Sequence, residues 1–245
     1  MLPSNTISAL HNATCAVGYI TVSHPRFLED VKKPYFKVLG TAFLVREGLV
    51  MTNRHVIQAL LAQQEDLGIT DEQRILMFVY PKKPGLWNIT IAIIKAMGHI
   101  LNRDVDVGLI SFAPPEDPEF AKVRPLAPQK NPPSRVTEEI AICGYPFGHA
   151  MLQKDGKVYR WGPLIQQGHI SAISPYENTQ HPTELMLDVR IAPGMSGAPV
   201  VRPSDSALIG IVHSTWEATA AVAFPLDERT LTDILASHDK QSEAA

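Results

Sequence analysis

The apolar positions of this chain fall in short runs, separated by clusters of polar residues, glycine and proline. Residues 16–22 read as a strand. Residues 36–45 and 49–52 read as a hairpin pair, with Arg46-Glu47-Gly48 as the turn. A short helix-like segment, Val56-Ile57-Gln58-Ala59-Leu60-Leu61, follows, and the polar residues 64–74 predict a loop. Residues 75–80, 87–97 and 105–112 predict further strands, with a Pro- and Gly-containing turn at 81–85. Residues 114–135 are rich in proline and charge and read as a connection between two halves. Strands resume at 139–144, 158–161, 165–173, 184–190, 198–201, 208–214 and 220–224. The pattern predicts one convincing helix, 227–237, with Leu231, Ile234 and Leu235 on its apolar face and Pro225 before it. Residues 239–245 read as a frayed tail. Many short strands divided by turns predict an all-β chain of barrels or sandwiches.

Composition narrows the classes. The chain has 245 residues, 45% hydrophobic and 19% charged, which predicts a packed core rather than disorder. A formal net charge of −3 and the lack of a long basic run argue against a nucleic-acid partner. No run of about 18 apolar residues occurs, so no membrane-spanning helix is expected. Residues 1–19 lack a basic start and an unbroken apolar run, so no secretory signal is expected and a cytoplasmic address follows for a full-length chain. Cys15 and Cys143 each sit in an apolar run and read as buried free thiols. His11, His24, His99, His149, His169, His181 and His238 have no partner at metal-ligand spacing. Glycine-rich phosphate-binding patterns are also missing, so no metal or cofactor is expected.

Three stretches carry candidate chemistry. In Gly194-Met195-Ser196-Gly197 the glycines permit a tight turn that points the N–H groups of Gly194 and Ser196 into one small hole. A serine hydroxyl there still needs a base. Met51-Thr52-Asn53-Arg54-His55-Val56 places a histidine where a strand gives way to a helix. Asp104-Val105-Asp106-Val107-Gly108-Leu109-Ile110 places two carboxylates at a strand start, on one face by the strand period. The chain order His, Asp, Ser is that of the chymotrypsin arrangement. The plain alternative for Gly-x-Ser-Gly is an ordinary turn.

The blocks Thr41-Ala42-Phe43-Leu44-Val45, Met51 to Val56, Asp106 to Ile110, Gly144-Tyr145-Pro146 and Gly194 to Pro199 together resemble those of trypsin-like serine peptidases. HtrA-type and glutamyl-endopeptidase-type enzymes look most similar, over residues 14–235. The resemblance implies an all-β fold of two antiparallel six-stranded barrels with a short C-terminal helix and the site in the cleft between them. Residues 1–115 would form the first half with His55 and Asp106, 116–135 the connection, 136–238 the second half with Ser196, and 239–245 a tail. Ser196 would be the nucleophile and His55 the base. Asp106 would orient the imidazole, since Asp-apolar-small-Leu-Ile fits it better than Asp104. Gly194 and Ser196 would form the oxyanion hole.

The chain departs from the family at Ala198, where a second glycine is usual, and at Met195, where secreted enzymes carry an aspartate that pairs with a new N-terminus. An oxyanion turn that forms without processing is therefore expected. By position in the family, Arg190 would lie at the base of the specificity pocket, with His213, Ser214 and Thr215 on one wall and Ala221 on the other. A guanidinium and an imidazole there would favour an acidic side chain before the scissile bond. Alternatively Arg190 turns to solvent or pairs with Asp188, leaving a small apolar pocket, and His213 backs Asp106. The leading expectation is a cofactor-independent serine endopeptidase acting on protein or peptide, with no membrane partner. A non-cleaving binding module of the same fold and a catalytic piece of a larger protein are the alternatives. An unrestrained protease harms a cell, so a regulatory partner is expected, though no residue identifies it.

Overall fold

A computed structural model describes residues 2–243 except 32, 84–85, 100–104, 131–133, 147–152, 155–156, 159–161, 178 and 218. The first half contains helix α1 (Ser4–Ala13), β1 (Thr14–Ile20), α2 (His24–Glu29), β2 (Phe36–Arg46), β3 (Leu49–Thr52), α3 (Arg54–Leu67), β4 (Arg74–Lys83), β5 (Leu86–His99) and β6 (Gly108–Phe112). The second contains β7 (Glu139–Gly144), β8 (Gln153–Lys154), β9 (Lys157–Val158), β10 (Leu164–Ser174), β11 (Glu184–Leu187), β12 (Pro199–Arg202), β13 (Ala207–Trp216), β14 (Ala220–Pro225) and helix α4 (Glu228–Glu243). Two closed antiparallel barrels result, in the orders β1-β2-β3-β6-β5-β4 and β10-β11-β14-β13-β12-β7. Closure removes the sheet edges that open strands would expose.

Strand alternation explains how so apolar a chain folds without one oversized core. Cys15, Val17 and Tyr19 of β1 enter one cluster, while Ala16 and Ile20 enter another with Phe27, Phe36, Ile75 and Met77. Strand β7 divides likewise: Ile140 and Ile142 face the interior of the second barrel, and Ala141 and Cys143 face the first cluster. That first cluster also takes Leu208 and Ile211 of β13 and Leu231 and Ile234 of α4. It is therefore the core that joins the two halves. Cys15 and Cys143 are free and buried within it, and burial pushes the Cys143 thiol up to about 12. Neither thiol is a nucleophile at neutral pH.

The helices depart most from the sequence pattern. Helix α1 occupies residues where none was expected, burying Thr6, Leu10 and Ala13. Its Thr6 hydroxyl donates to Pro203 O at 3.0 Å and lies 2.9 Å from Ser206 Oγ, tying the first residues to the second barrel. Helix α2 was also unforeseen; it has a proline in its first turn. Helix α3 runs through Leu67 into the expected loop and stops at Gly68, whose φ of +64° is left-handed. A 3₁₀ turn, Asp71–Gln73, carries a capping box from Thr70. The expected C-terminal tail is helical through Glu243, because Arg46 grips Asp239 with two hydrogen bonds of 2.9 and 2.8 Å. Strand β6 begins at Gly108 rather than 105, and β11 ends at Leu187 rather than 190. Strand β4 continues through Lys83 into the expected turn at 81–85, whose residues 84–85 lie outside the described residues. So do His149 and residues 159–161 of an expected strand. No helix among the described residues is long and apolar enough to cross a membrane.

Replacing Thr6 with valine keeps the shape of the side chain and deletes the donor to the buried Pro203 carbonyl. The expected cost is about 1–3 kcal/mol, read from urea unfolding. A loss below about 0.5 kcal/mol would show that the hydroxyl does not anchor α1.

Candidate active site

Strand β3 delivers the chain directly into α3, and the turn between them presents His55 as the second residue of the helix. Asp106 lies in the extended segment just before β6, the strand that pairs with β3. The pairing brings the two ends together. The His55 backbone N–H donates to Asp106 Oδ1 at 3.1 Å, and His55 Nδ1 lies 2.6 Å from Asp106 Oδ2. An ionised carboxylate only accepts, so Nδ1 carries the proton and Nε2 keeps a lone pair. Burial pushes the Asp106 carboxyl up, but the hydrogen bonds and charge of His55 outweigh it, with help from His213, and the carboxyl titrates below its ordinary range. Asp106 also sits at the positive end of α3, a further reason for it to stay ionised. Asp104, the rival carboxylate, lies outside the described residues.

Ser196 sits on a turn braced by the first barrel. Met195 N–H donates to Ala192 O at 3.0 Å, closing a turn with Pro193 and Gly194 at its centre. Gly194 has φ +97°, which marks the type II form, for which Pro then Gly is the favoured pair. Type I would reverse the Pro193–Gly194 peptide. Among the described residues the N–H groups of Gly194 and Ser196 find no acceptor.

Thr41 of β2 holds this turn. Its N–H donates to Ser196 O at 2.8 Å and its hydroxyl donates to Gly194 O at 2.7 Å. The same hydroxyl accepts from Tyr145 N–H at 3.0 Å, and Thr52 Oγ1 donates to Thr41 O at 2.7 Å. Gly197, at φ +87°, lies against the Thr41 carbonyl; a methyl there would overlap it. Gly40 marks how near the two halves come: a methyl on it would meet Val56 Cγ2 at 2.6 Å and Ser196 O at 3.1 Å. The Gly40 backbone thus lies between Val56 of α3 and the Ser196 carbonyl. Met195 is fully buried in the core of the second barrel.

The other expected site residues divide. Arg190 is exposed, which does not fit a guanidinium enclosed at a pocket base. Asp188 does not serve it either: its carboxylate binds the backbone N–H and Nδ1 of His169, the latter at 3.2 Å. Ala221 is fully buried in the core of the second barrel, where it pairs with Leu187 of β11 and Thr215 of β13. Ser214 and Thr215 are exposed along β13. His213 is the extra residue of a bulge, since Val212 opposes Ala223 and Ser214 opposes Val222. The bulge re-aims His213. It is half-buried, and burial lowers its pKa; Glu184 and Asp106 act the other way, and His55 adds to the lowering. His213 therefore stands within electrostatic reach of both His55 and Asp106. Thr41, Thr52 and Asn53 had not been singled out as site residues. Their only signal in the sequence is that small polar side chains interrupt apolar runs beside the histidine. Among the described residues no group of three His, Cys, Asp or Glu is arranged to hold a metal.

Two measurements follow from this geometry. Thr41→Val leaves Gly194 O without its donor and Tyr145 N–H without its acceptor, so unfolding stability should fall by about 2 kcal/mol or more; a change under about 0.5 kcal/mol would show the hydroxyl is not a brace. His213 supplies a pH signature. A histidine whose folded pKa is lowered contributes stability that is complete above its unfolded value of about 6.5 and is lost as pH falls below that through the folded value. Between pH 8 and 5 the parent should lose stability more steeply than His213→Gln. Parallel slopes would remove the burial argument.

The family model of the trypsin-like peptidase domain matches residues 40–211, a span that includes His55, Asp106 and Ser196. No curated protein sequence matches significantly. Solved structures do. A Glu endopeptidase in complex with MPD superposes with a TM-score of 0.60 at 13% identity, over 97% of this chain and 95% of its own. An inactive form of the Rv3671c protein from M. tuberculosis gives 0.57 at 14% identity, over 96% and 90%. The HtrA-type protease AlgW with a tripeptide gives 0.56 at 18% identity, over 96% of this chain and 63% of its own. At such identities the structures speak for a shared fold. With the family match over most of its length and both barrels closed, the chain belongs to the trypsin-like peptidase family.

Proposed function

We propose that this protein is a serine endopeptidase that needs no cofactor. The observation that carries the reading is the two-point bond between His55 and Asp106; in support, Thr41 of the same barrel holds a serine turn whose two N–H groups have no acceptor among the described residues. Ser196 Oγ attacks the carbonyl carbon of the scissile peptide and passes its proton to His55 Nε2. Asp106 stabilises the imidazolium through Nδ1–H. The carbonyl oxygen becomes an oxyanion that accepts from Gly194 N–H and Ser196 N–H. The imidazolium then gives its proton to the leaving amine, and the acyl-enzyme remains. Water repeats the sequence in reverse and frees the acid product and Ser196.

Two features support a turn that is formed without proteolytic processing. Gly194 already has the positive φ that orients its N–H, and Thr41 fixes the adjoining carbonyl. Met195 takes the place of the aspartate that anchors a new N-terminus in secreted relatives, and its side chain is satisfied by apolar packing. With Arg190 exposed, a small apolar residue before the scissile bond is favoured over an acidic one. Buried unpaired thiols at Cys15 and Cys143 fit a reducing compartment.

Intact protein, with its mass confirmed, should be labelled by a fluorophosphonate probe. Ser196→Ala should abolish labelling and lower kcat by roughly 10⁴ to 10⁶, and adding His55→Ala should cost little more, because the groups act as one unit. Substantial peptidase activity in Ser196→Ala would assign the nucleophile elsewhere. Failure of the intact parent to label would favour a binding module of the same fold.

A further inference from the structure

Asn53 precedes the first residue of α3 and is fully buried. At that position an asparagine ordinarily turns its side-chain oxygen back to accept from the second or third N–H of the helix. Asn53 makes no such bond. Its Nδ2 instead donates to the backbone carbonyl of Asp106 at 2.8 Å, and its Oδ1 is buried with no partner among the described residues. The assignment of the amide is not arbitrary, because a carbonyl only accepts and the group facing it must be the NH₂. The helix N–H that Asn53 leaves unserved is that of His55, and Asp106 Oδ1 accepts it. The capping duty has passed from the local side chain to the distant carboxylate.

This exchange has a cost and a use. A buried carbonyl without a partner destabilises the fold, and a rotamer flip that turns the side chain back to cap the helix would relieve it. What the flip would lose is the hold on Asp106. That residue lies outside any strand; the first ladder pair of its segment is Gly108 with His99 and Thr52. Asn53 supplies the missing backbone bond, from a residue two places from His55. The histidine and the carbonyl behind its carboxylate are thereby referenced to the same helix turn.

We propose that Asn53 is a positioning residue, which fixes the Asp106 backbone so that both carboxylate oxygens meet His55 at once. The inference rests on the reading of His55 and Asp106 as a catalytic pair, but its test separates the two. Asn53→Ser is the informative variant. Serine caps helices about as well as asparagine, yet its hydroxyl is one bond too short to reach Asp106 O. Asn53→Ala accompanies it, and Ser196→Ala serves as reference. Three quantities are read: kcat and KM on a peptide substrate, the urea midpoint, and the far-downfield proton resonance of the short His55 Nδ1–H bond.

For Asn53→Ser the expected result is a near-parental urea midpoint, a kcat lower by about 10- to 100-fold and a KM within about twofold. The downfield resonance should broaden or move upfield. A role in packing alone would leave that resonance in place. Asn53→Ser with the kcat and resonance of the parent overturns the proposal, whatever Asn53→Ala does to folding. Activity surviving in Ser196→Ala would instead defeat the catalytic reading, and loss of the resonance in Asn53→Ser would still show that Asn53 holds the pair together.

Discussion

Thr41 is the constraint on which the site depends. One residue of the first barrel uses its N–H and hydroxyl on the junction, N–H to Ser196 and hydroxyl to Gly194 and from Tyr145, while its carbonyl accepts from Thr52 within its own barrel. Each partner is a short bond in a place where water has little access, so losing one leaves a buried group unsatisfied. The consequence is geometric. Ser196 is carried by the second barrel and His55 by the first, and sheet closure alone fixes neither relative to the other. Thr41 lies two strands from β6 in the first barrel and touches the serine turn of the second. Gly197 and Gly40 have no side chain because this contact leaves no room for one.

Within the first barrel the carboxylate of Asp106 performs a second unification. Burial opposes its charge, and His55, His213 and the end of α3 together favour it. An ionised group held in this way resists rotation, since any other rotamer gives up two bonds to His55. The same carboxylate caps the helix that carries its partner. Helix, imidazole and carboxylate are therefore joined by two bonds, and the orphan Oδ1 of Asn53 is the destabilising remainder of that solution.

The sequence shows the chemistry more clearly than its setting. The pairing of His55 with Asp106 was legible because each lies where an apolar run meets a turn, and the run of short strands pointed to closed sheets. The bulge at His213 was not legible, since a single extra residue in one strand leaves the hydrophobic alternation nearly intact while reversing the face that follows. Arg190 was expected at a pocket base by position alone; it lies exposed, three residues beyond the end of β11 at Leu187. Helix α1 was missed because a buried polar residue, Thr6, interrupts its apolar face. Asn53 reads as an ordinary helix cap, and only the coordinates of Asp106 reveal that its amide points the other way.

The second barrel contains a pair with the same connectivity, and the contrast bears on the role proposed for His55. Asp188 receives both the backbone N–H and Nδ1 of His169, as Asp106 does from His55. The two imidazoles are similarly exposed, 51% against 45%, but the carboxylates differ, 48% for Asp188 and 27% for Asp106. Water competes for the more exposed pair, so its bond fixes orientation weakly. His169 also lies on a strand, with no helix end behind its carboxylate. The bonding pattern is therefore insufficient by itself. What distinguishes His55 is a carboxylate partly withdrawn from water, a helix terminus that favours its charge, and a serine turn braced against the same barrel.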